Sequence, residues 1–303
     1  MYFLCVVFLF SCVEGLQLFT LPFSLNFTES ASVNPQSGQQ PDDTILLAVF
    51  RDGDFPLLPV DAWNMGEKTG SPAPSAFQLG LAPSIPFSTS VSYFQGTFST
   101  ILDLVSLPLQ PGASLGTVTL GYDFSPQKQI LPWAQPGAAL DMSVFYKCPM
   151  ALKASPSLTS AVYSSWSLGL RHRVSQTFVW YETLLFDLHR PLGSDIIWMD
   201  TITGSPIVHS VLSHDAPSAF HNIATDSSPS NDTVSDSFRL YHFSIAPQHI
   251  VAAMSAANAK FNLSLGTDPA DWKLVHTNIE AEGTTGGRMA HSLKNMQISW
   301  LET

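Results

Sequence analysis

Short runs of alternating apolar and polar residues recur along this chain, separated by clusters of Gly, Pro, Ser and Asn. Alternation of this kind predicts β-strands, and breakers at this spacing predict a sandwich or barrel. The run at 116–124 alternates cleanly, and 139–146 does so more loosely. From residue 161 the pattern sharpens, with strands expected at 161–170, 176–188, 196–200, 206–212 and 238–245. Two more are expected at 272–282 and 293–301. Upstream, 91–107 fits one or two strands, 44–51 is a short apolar run, and the alternation of Leu21, Phe23, Leu25 and Phe27 fits a first edge strand. The Pro-dense stretch 52–90 excludes long helices, and 34–43 and 215–236 read as loops. One helix is expected, at 247–261. Pro247 suits its first position, and Ile250, Val251, Met254, Ala257 and Phe261 recur at helical spacing. The prediction is an all-β, two-sheet antiparallel β-sandwich with one short helix.

Side-chain parity adds candidate chemistry to two of these strands. In the earlier one, Trp180, Glu182, Leu184 and Phe186 fall on one face. In the later one, His276, Asn278, Glu280 and Glu282 fall on one face, against Val275, Thr277, Ile279 and Ala281 on the other. A strand with one apolar and one polar face belongs to a sheet buried on one side. The polar residues here are of types that hydrogen-bond a sugar, and the two glutamates are the strongest chemical signal in the chain.

Composition narrows the partners. Residues 2–13 are almost wholly apolar and end at Glu14-Gly15. That run is short of the roughly 20 residues needed to span a bilayer and suits a secretory signal peptide over 1–15, leaving 16–303 as one domain with long Pro/Gly/Ser-rich loops. A secreted, extracellular, monomeric protein is expected. The net charge of −11, with only 12% charged residues, disfavours nucleic acid and anionic membranes; a polysaccharide or glycan partner is compatible with it. Cys5 and Cys12 fall within the signal segment, so Cys148 stands alone and is expected to be buried. Asn26, Asn231 and Asn262 head N-glycosylation sequons.

Tyr181-Glu182-Thr183-Leu184-Leu185-Phe186 is similar to the Tyr-Glu-Leu-Met-Ile-Trp type segment that carries the nucleophile in glycoside hydrolase family 12. Glu282-Gly283-Thr284-Thr285-Gly286-Gly287 is similar to the Glu-containing, Gly-ending turn that carries the acid/base in families 11 and 12. The helix precedes that strand, as it does in those families. Residues 175–301 thus resemble the concanavalin A-like jelly roll of these enzymes; residues 16–150 do not. Phe186 stands where Trp is usual and Leu184 where Met is usual. The resemblance implies Glu182 as nucleophile and Glu282 as acid/base, with Glu280 in reserve, and Trp180, Phe186, His276 and Asn278 as substrate contacts. Retaining glycosidases need two carboxylates, one to form the glycosyl-enzyme and one to shuttle the proton.

No cofactor or metal is expected. His209, His214, Asp215 and His221 match no trusted metal spacing, and Asp268 and Asp271 lack the remaining ligands of a calcium loop. Three readings stay open: a retaining, endo-β-1,4-glucanase-like endo-β-glycosidase, a non-catalytic lectin-like or adhesive surface protein, and a structural surface protein without a glycan ligand.

Overall fold

The computed structural model describes most of residues 129–300, with gaps at 136, 154–160, 189–194, 201–203, 216, 230–232 and 285. Before residue 129 it describes the backbone of eight strands and the side chains of 99–102. The expected signal peptide, the loop at 34–43, most of the 52–90 stretch and Asn231 lie outside the described residues.

The strands in chain order are β1 (Leu16–Thr20), β2 (Leu25–Asn26), β3 (Val49–Phe50), β4 (Val60–Asp61), β5 (Gln78–Leu79), β6 (Ser90–Phe94), β7 (Thr97–Asp103) and β8 (Gly116–Asp123). After these come β9 (Leu140–Leu152), β10 (Val162–His172), β11 (Phe178–Asp187), β12 (Ile196–Met199) and β13 (Pro206–Val211). The last four are β14 (Asn222–Ile223), β15 (Ser235–Ile245), β16 (Trp272–Gly283) and β17 (Arg288–Trp300), with the helix α1 (Pro247–Phe261) between β15 and β16. They form two large sheets. One runs β14-β15-β9-β17-β7-β6-β5, with β1 also paired to β17; the other runs β12-β13-β11-β10-β16-β8-β4. The chain is therefore a two-sheet β-sandwich of jelly-roll type.

Pairing is mainly antiparallel, with two departures among the described strands. β11 and β13 are parallel, as are β5 and β6. The first has a simple cause. β12 lies at the edge of its sheet and turns back antiparallel onto β13, so β13 enters the sheet in the direction of β11.

The core lies between the sheets. Trp166 and Leu168 of β10 and Tyr181 and Leu185 of β11 meet Met142 and Val144 of β9 and Phe243 of β15, all essentially without exposure. The Trp166 and Phe243 rings meet edge to face at 6.0 Å, a preferred aromatic geometry. The Trp166 indole donates to Thr277 Oγ1 at 3.0 Å, so its one polar atom is satisfied. Cys148 is buried in this core, and burial pushes its thiol up to about 12, which suppresses thiolate chemistry.

Helix α1 begins at Ala246, whose backbone N–H is accepted by His249 Nδ1 at 2.9 Å. It ends at Asn262, which adopts the left-handed conformation (φ 51°) tolerated by Asn. Ile250, Ala253, Met254 and Ala257 form its buried stripe. Asn262 itself is exposed. Among the described residues no helix is long and apolar enough to cross a membrane.

Gly169 marks where β10 passes beneath bulky neighbours. It pairs with Trp180 on one side and His276 on the other. A Cβ at this position would lie 2.7 Å from the Cβ of His276 and 2.8 Å from Phe178 Cζ. His276 Cβ is fixed to the backbone and cannot give way. Gly169→Ala is expected to lower stability by about 1–3 kcal/mol, the usual cost of overpacking. Urea denaturation measures this, and an unchanged midpoint would contradict it.

Candidate functional site

The outer face of the second sheet is built by three adjacent strands with β10 in the middle. Its pairings set the level of every side chain. Ser167 lies opposite Glu182 on β11 and Asn278 on β16; Ser165 lies opposite Glu280; Tyr163 lies opposite Glu282. Because alternate residues share a face, Tyr163, Ser165, Ser167 and Gly169 point the same way as Glu182, Asn278, Glu280 and Glu282. Next to β11, the parallel strand β13 places His209 level with Glu182.

All three glutamates are nearly inaccessible: Glu182 is 5% exposed, Glu280 6% and Glu282 0%. Burying a carboxylate is costly unless it has polar partners, and each has its own. Glu182 Oε2 pairs with His209 Nε2. Glu280 Oε1 accepts from Ser165 Oγ at 2.8 Å and Ser167 Oγ at 3.3 Å. Glu282 Oε2 accepts from the Tyr163 hydroxyl. Tyr163 ties the group together. Its phenol is held well above the usual tyrosine range by burial first, then by the charges of Glu282, Glu182 and Glu280. It therefore stays protonated and donates.

The register separates the two candidate partners of Glu182. Strands lie about 4.8 Å apart and rise about 3.3 Å per residue. Two strand spacings and two residues put the Glu280 Cα roughly 12 Å from that of Glu182, whereas four residues put Glu282 at roughly 16 Å. Backbone placement thus favours Glu280, while Tyr163 links Glu282 to the same cluster.

Toward the Gly169 end the face becomes more open. Trp180 is half-buried and meets Phe178 and His276 edge to face, with ring centroids at 4.7 Å and 5.3 Å. Asn278 lies between this aromatic group and the carboxylates in register. Among the described residues its Oδ1 is buried without a hydrogen-bond partner, which leaves an acceptor for a ligand donor.

Phe186 requires a correction. Strict alternation put it on the face of Glu182, but the ladder slips between Ser164 and Ser165, which pair with Phe186 and Leu184 and leave Leu185 as the extra residue. This bulge turns Phe186 inward, where it is fully buried in the inter-sheet core. Leu184 remains on the outer face, packed with Tyr163 and Val211. The histidines near 209–221 part company. His209 pairs with Glu182, His214 Nε2 contacts the Ser227 carbonyl at 2.8 Å, and His221 packs against Phe243. Among the described residues no group of three or more His, Cys, Asp or Glu is placed to hold a metal ion.

Sequence reading missed the residues that orient the carboxylates: Tyr163, Ser165, Ser167, His209 and Trp198. A signal was present on β10. There Tyr163, Ser165 and Ser167 alternate with Ser164, Trp166 and Leu168, a polar face matching that of β16.

Three solved structures show what this chain is similar to, at low identity. A family 12 xyloglucanase from Bacillus licheniformis is similar to 67% of this chain and 86% of its own, at 9% identity and a TM-score of 0.33. A family 11 xylanase from Neocallimastix patriciarum is similar over 69% of this chain and 84% of its own, at 13% identity and a TM-score of 0.30. The xyloglucanase domain of NopAA, a type three effector from Sinorhizobium fredii solved with cellobiose, is similar over 67% and 81%, at 10% identity and a TM-score of 0.33. No family model matches the sequence, and no curated protein matches it. The sandwich is established by its own strand pairings, and the chemistry of the site is argued from its own residues.

Proposed function

We propose that this chain is a secreted, retaining endo-β-glycosidase acting on a neutral polysaccharide of the β-glucan, xyloglucan or xylan kind. The observation that carries the reading is the outer face of β11, β10 and β16. Three buried carboxylates lie there together, each held by its own polar side-chain partner around one protonated tyrosine. Ser, Tyr and His side chains hold these carboxylates.

Glu182 is the nucleophile. Its carboxylate oxygen forms a bond to the anomeric carbon as the glycosidic C–O bond breaks, and the departing oxygen takes a proton from the second carboxyl group. That group, now a carboxylate, then takes a proton from water as the water displaces Glu182 and restores both residues. Two features support Glu280 in the acid/base role ahead of Glu282. Its backbone lies closer to Glu182 in register, and Glu282 is fully buried. Trp180, His276 and Asn278 line the more open end of the face and supply an aromatic wall and an acceptor for sugar hydroxyls.

Reducing-sugar release from β-glucan, xyloglucan and xylan tests the reading, with proton NMR of the first product reporting the anomer. The expected result is release of the β-anomer from at least one polymer. Binding on a glycan array without release would replace the enzyme with a lectin-like protein, and neither binding nor release would remove the glycan reading.

A further inference from the structure

We propose that Trp198 and His209 form a relay that fixes which proton His209 carries and so holds Glu182 ionised and in one orientation. The purpose of the relay rests on the glycosidase reading; its chemistry does not.

Trp198 Nε1 lies 3.0 Å from His209 Nδ1. An indole nitrogen only donates, so Nδ1 must present its lone pair and the ring proton must sit on Nε2. His209 Nε2 faces Glu182 Oε2. With the ring proton on Nε2 and Oε2 in direct contact with it, there is no room for a second proton between them, so Oε2 carries none. The geometry thus assigns a neutral imidazole set against a carboxylate, with the tautomer fixed by the neighbour on the far nitrogen. A second proton on Nδ1 would point at the indole N–H, and a proton on Oε2 would point at the imidazole N–H.

The surroundings keep this arrangement in place. His209 is 1% exposed. Its ring is held between Tyr163, at 5.8 Å and 61°, and Trp198, at 5.3 Å and 83°. Parallel pairing sets His209 level with Glu182, and β12 places Ile196 level with His209 on the other side. Ser210 Oγ donates to the Glu182 backbone carbonyl at 3.3 Å, which secures the same junction. A histidine buried only for packing would be expected to bond to backbone groups; both ring nitrogens here are engaged by side chains, one a donor and one a carboxylate. Trp198 and His209 are therefore positioning residues acting through Glu182.

The test has one readout that needs no catalysis. Long-range proton–nitrogen NMR on the full chain with labelled histidine, assigned with His209→Gln, reads the His209 tautomer directly. The wild type is expected to show His209 as a single neutral Nε2–H form near neutral pH. Trp198→Phe removes the donor and is expected to give a mixture that includes protonated Nδ1. Circular dichroism and thermal melting identify loss of fold, and Trp198→Leu serves as a second variant should Phe not fold. An Nδ1–H form in the wild type, or an unchanged tautomer in folded variants of both kinds, overturns the relay. In activity, Trp198→Phe is expected to lower kcat by roughly tenfold to a hundredfold with little change in KM, the cost of a small misplacement of a reacting group. A wild type that shows the expected tautomer but hydrolyses no glycan would leave the relay standing and remove the glycosidase reading.

Discussion

Glu182→Gln abolishes hydrolysis of polymeric and activated substrates alike, by about 10⁴-fold or more, the scale of losing a member of a nucleophilic unit. The amide cannot form the glycosyl-enzyme. The two candidates for the second role are told apart by leaving group. An acid/base variant loses activity on polymer, where the departing oxygen needs a proton, yet still forms the glycosyl-enzyme from an aryl glycoside whose leaving group departs unprotonated. Glu280→Gln is expected to show that split. Glu282→Gln is expected to weaken both substrates modestly, since it exchanges the charged acceptor of Tyr163 for an amide carbonyl and removes no reacting group. Stopped-flow release of the aryl group measures the first step directly. If the split appears in Glu282→Gln instead, the roles of the two residues exchange. If Glu182→Gln retains activity, the two-carboxylate mechanism is wrong.

Acid is expected to destabilise the fold steeply through buried histidines that do not contact the three glutamates. His291 is fully enclosed, and burial lowers its pKa to about 3. His221 is likewise lowered to about 3, by burial first and then by the charge of His249. An imidazole in the unfolded chain titrates near 6.5. Between about pH 6.5 and pH 3 the unfolded chain therefore binds protons that the folded chain does not. The stability is fully present above about 6.5 and is lost as pH falls, at about 1.4 kcal/mol per pH unit for each group, or roughly 3 kcal/mol for the two. His249, lowered by burial, acts in the same direction. His242 opposes it weakly. Partial burial lowers its pKa, but donation to Asp226 and Asp141 outweighs that and raises it, and the site is too open to contribute much. Urea denaturation at pH 7.5, 6.5 and 5.5 measures the slope. A flat profile, or a slope unchanged in His291→Gln, would sink this account.

Much of the second sheet was readable before any coordinates. The strands at 162–172, 178–187, 206–211 and 272–283 and the helix at 247–261 follow runs whose period is set by burial of one face. The parity of β16 was read correctly because it alternates without interruption around Glu280 and Glu282. The parity of β11 was misread at its end because a bulge arises from the mating of two strands, which neither strand displays alone. The partners of the carboxylates were hidden for a related reason. Tyr163 and His209 lie 119 and 27 residues from the glutamates they hold, and only the strand order brings them together. His209 was weighed as a metal ligand because it is near other histidines in sequence, whereas in the fold it is nearest an indole and a carboxylate.

The place of β10 in this sheet also bears on how the site fails. Both neighbours of β10 carry its carboxylates, and its own side chains supply the donors to two of the three. The ladder is closed on both sides, so β10 cannot fray by itself, and a local opening that frees it must release β11 or β16 as well. The nucleophile and its partner carboxyl group therefore belong to one cooperative unit of unfolding, gained and lost together, and partially opened molecules retain no half-assembled centre.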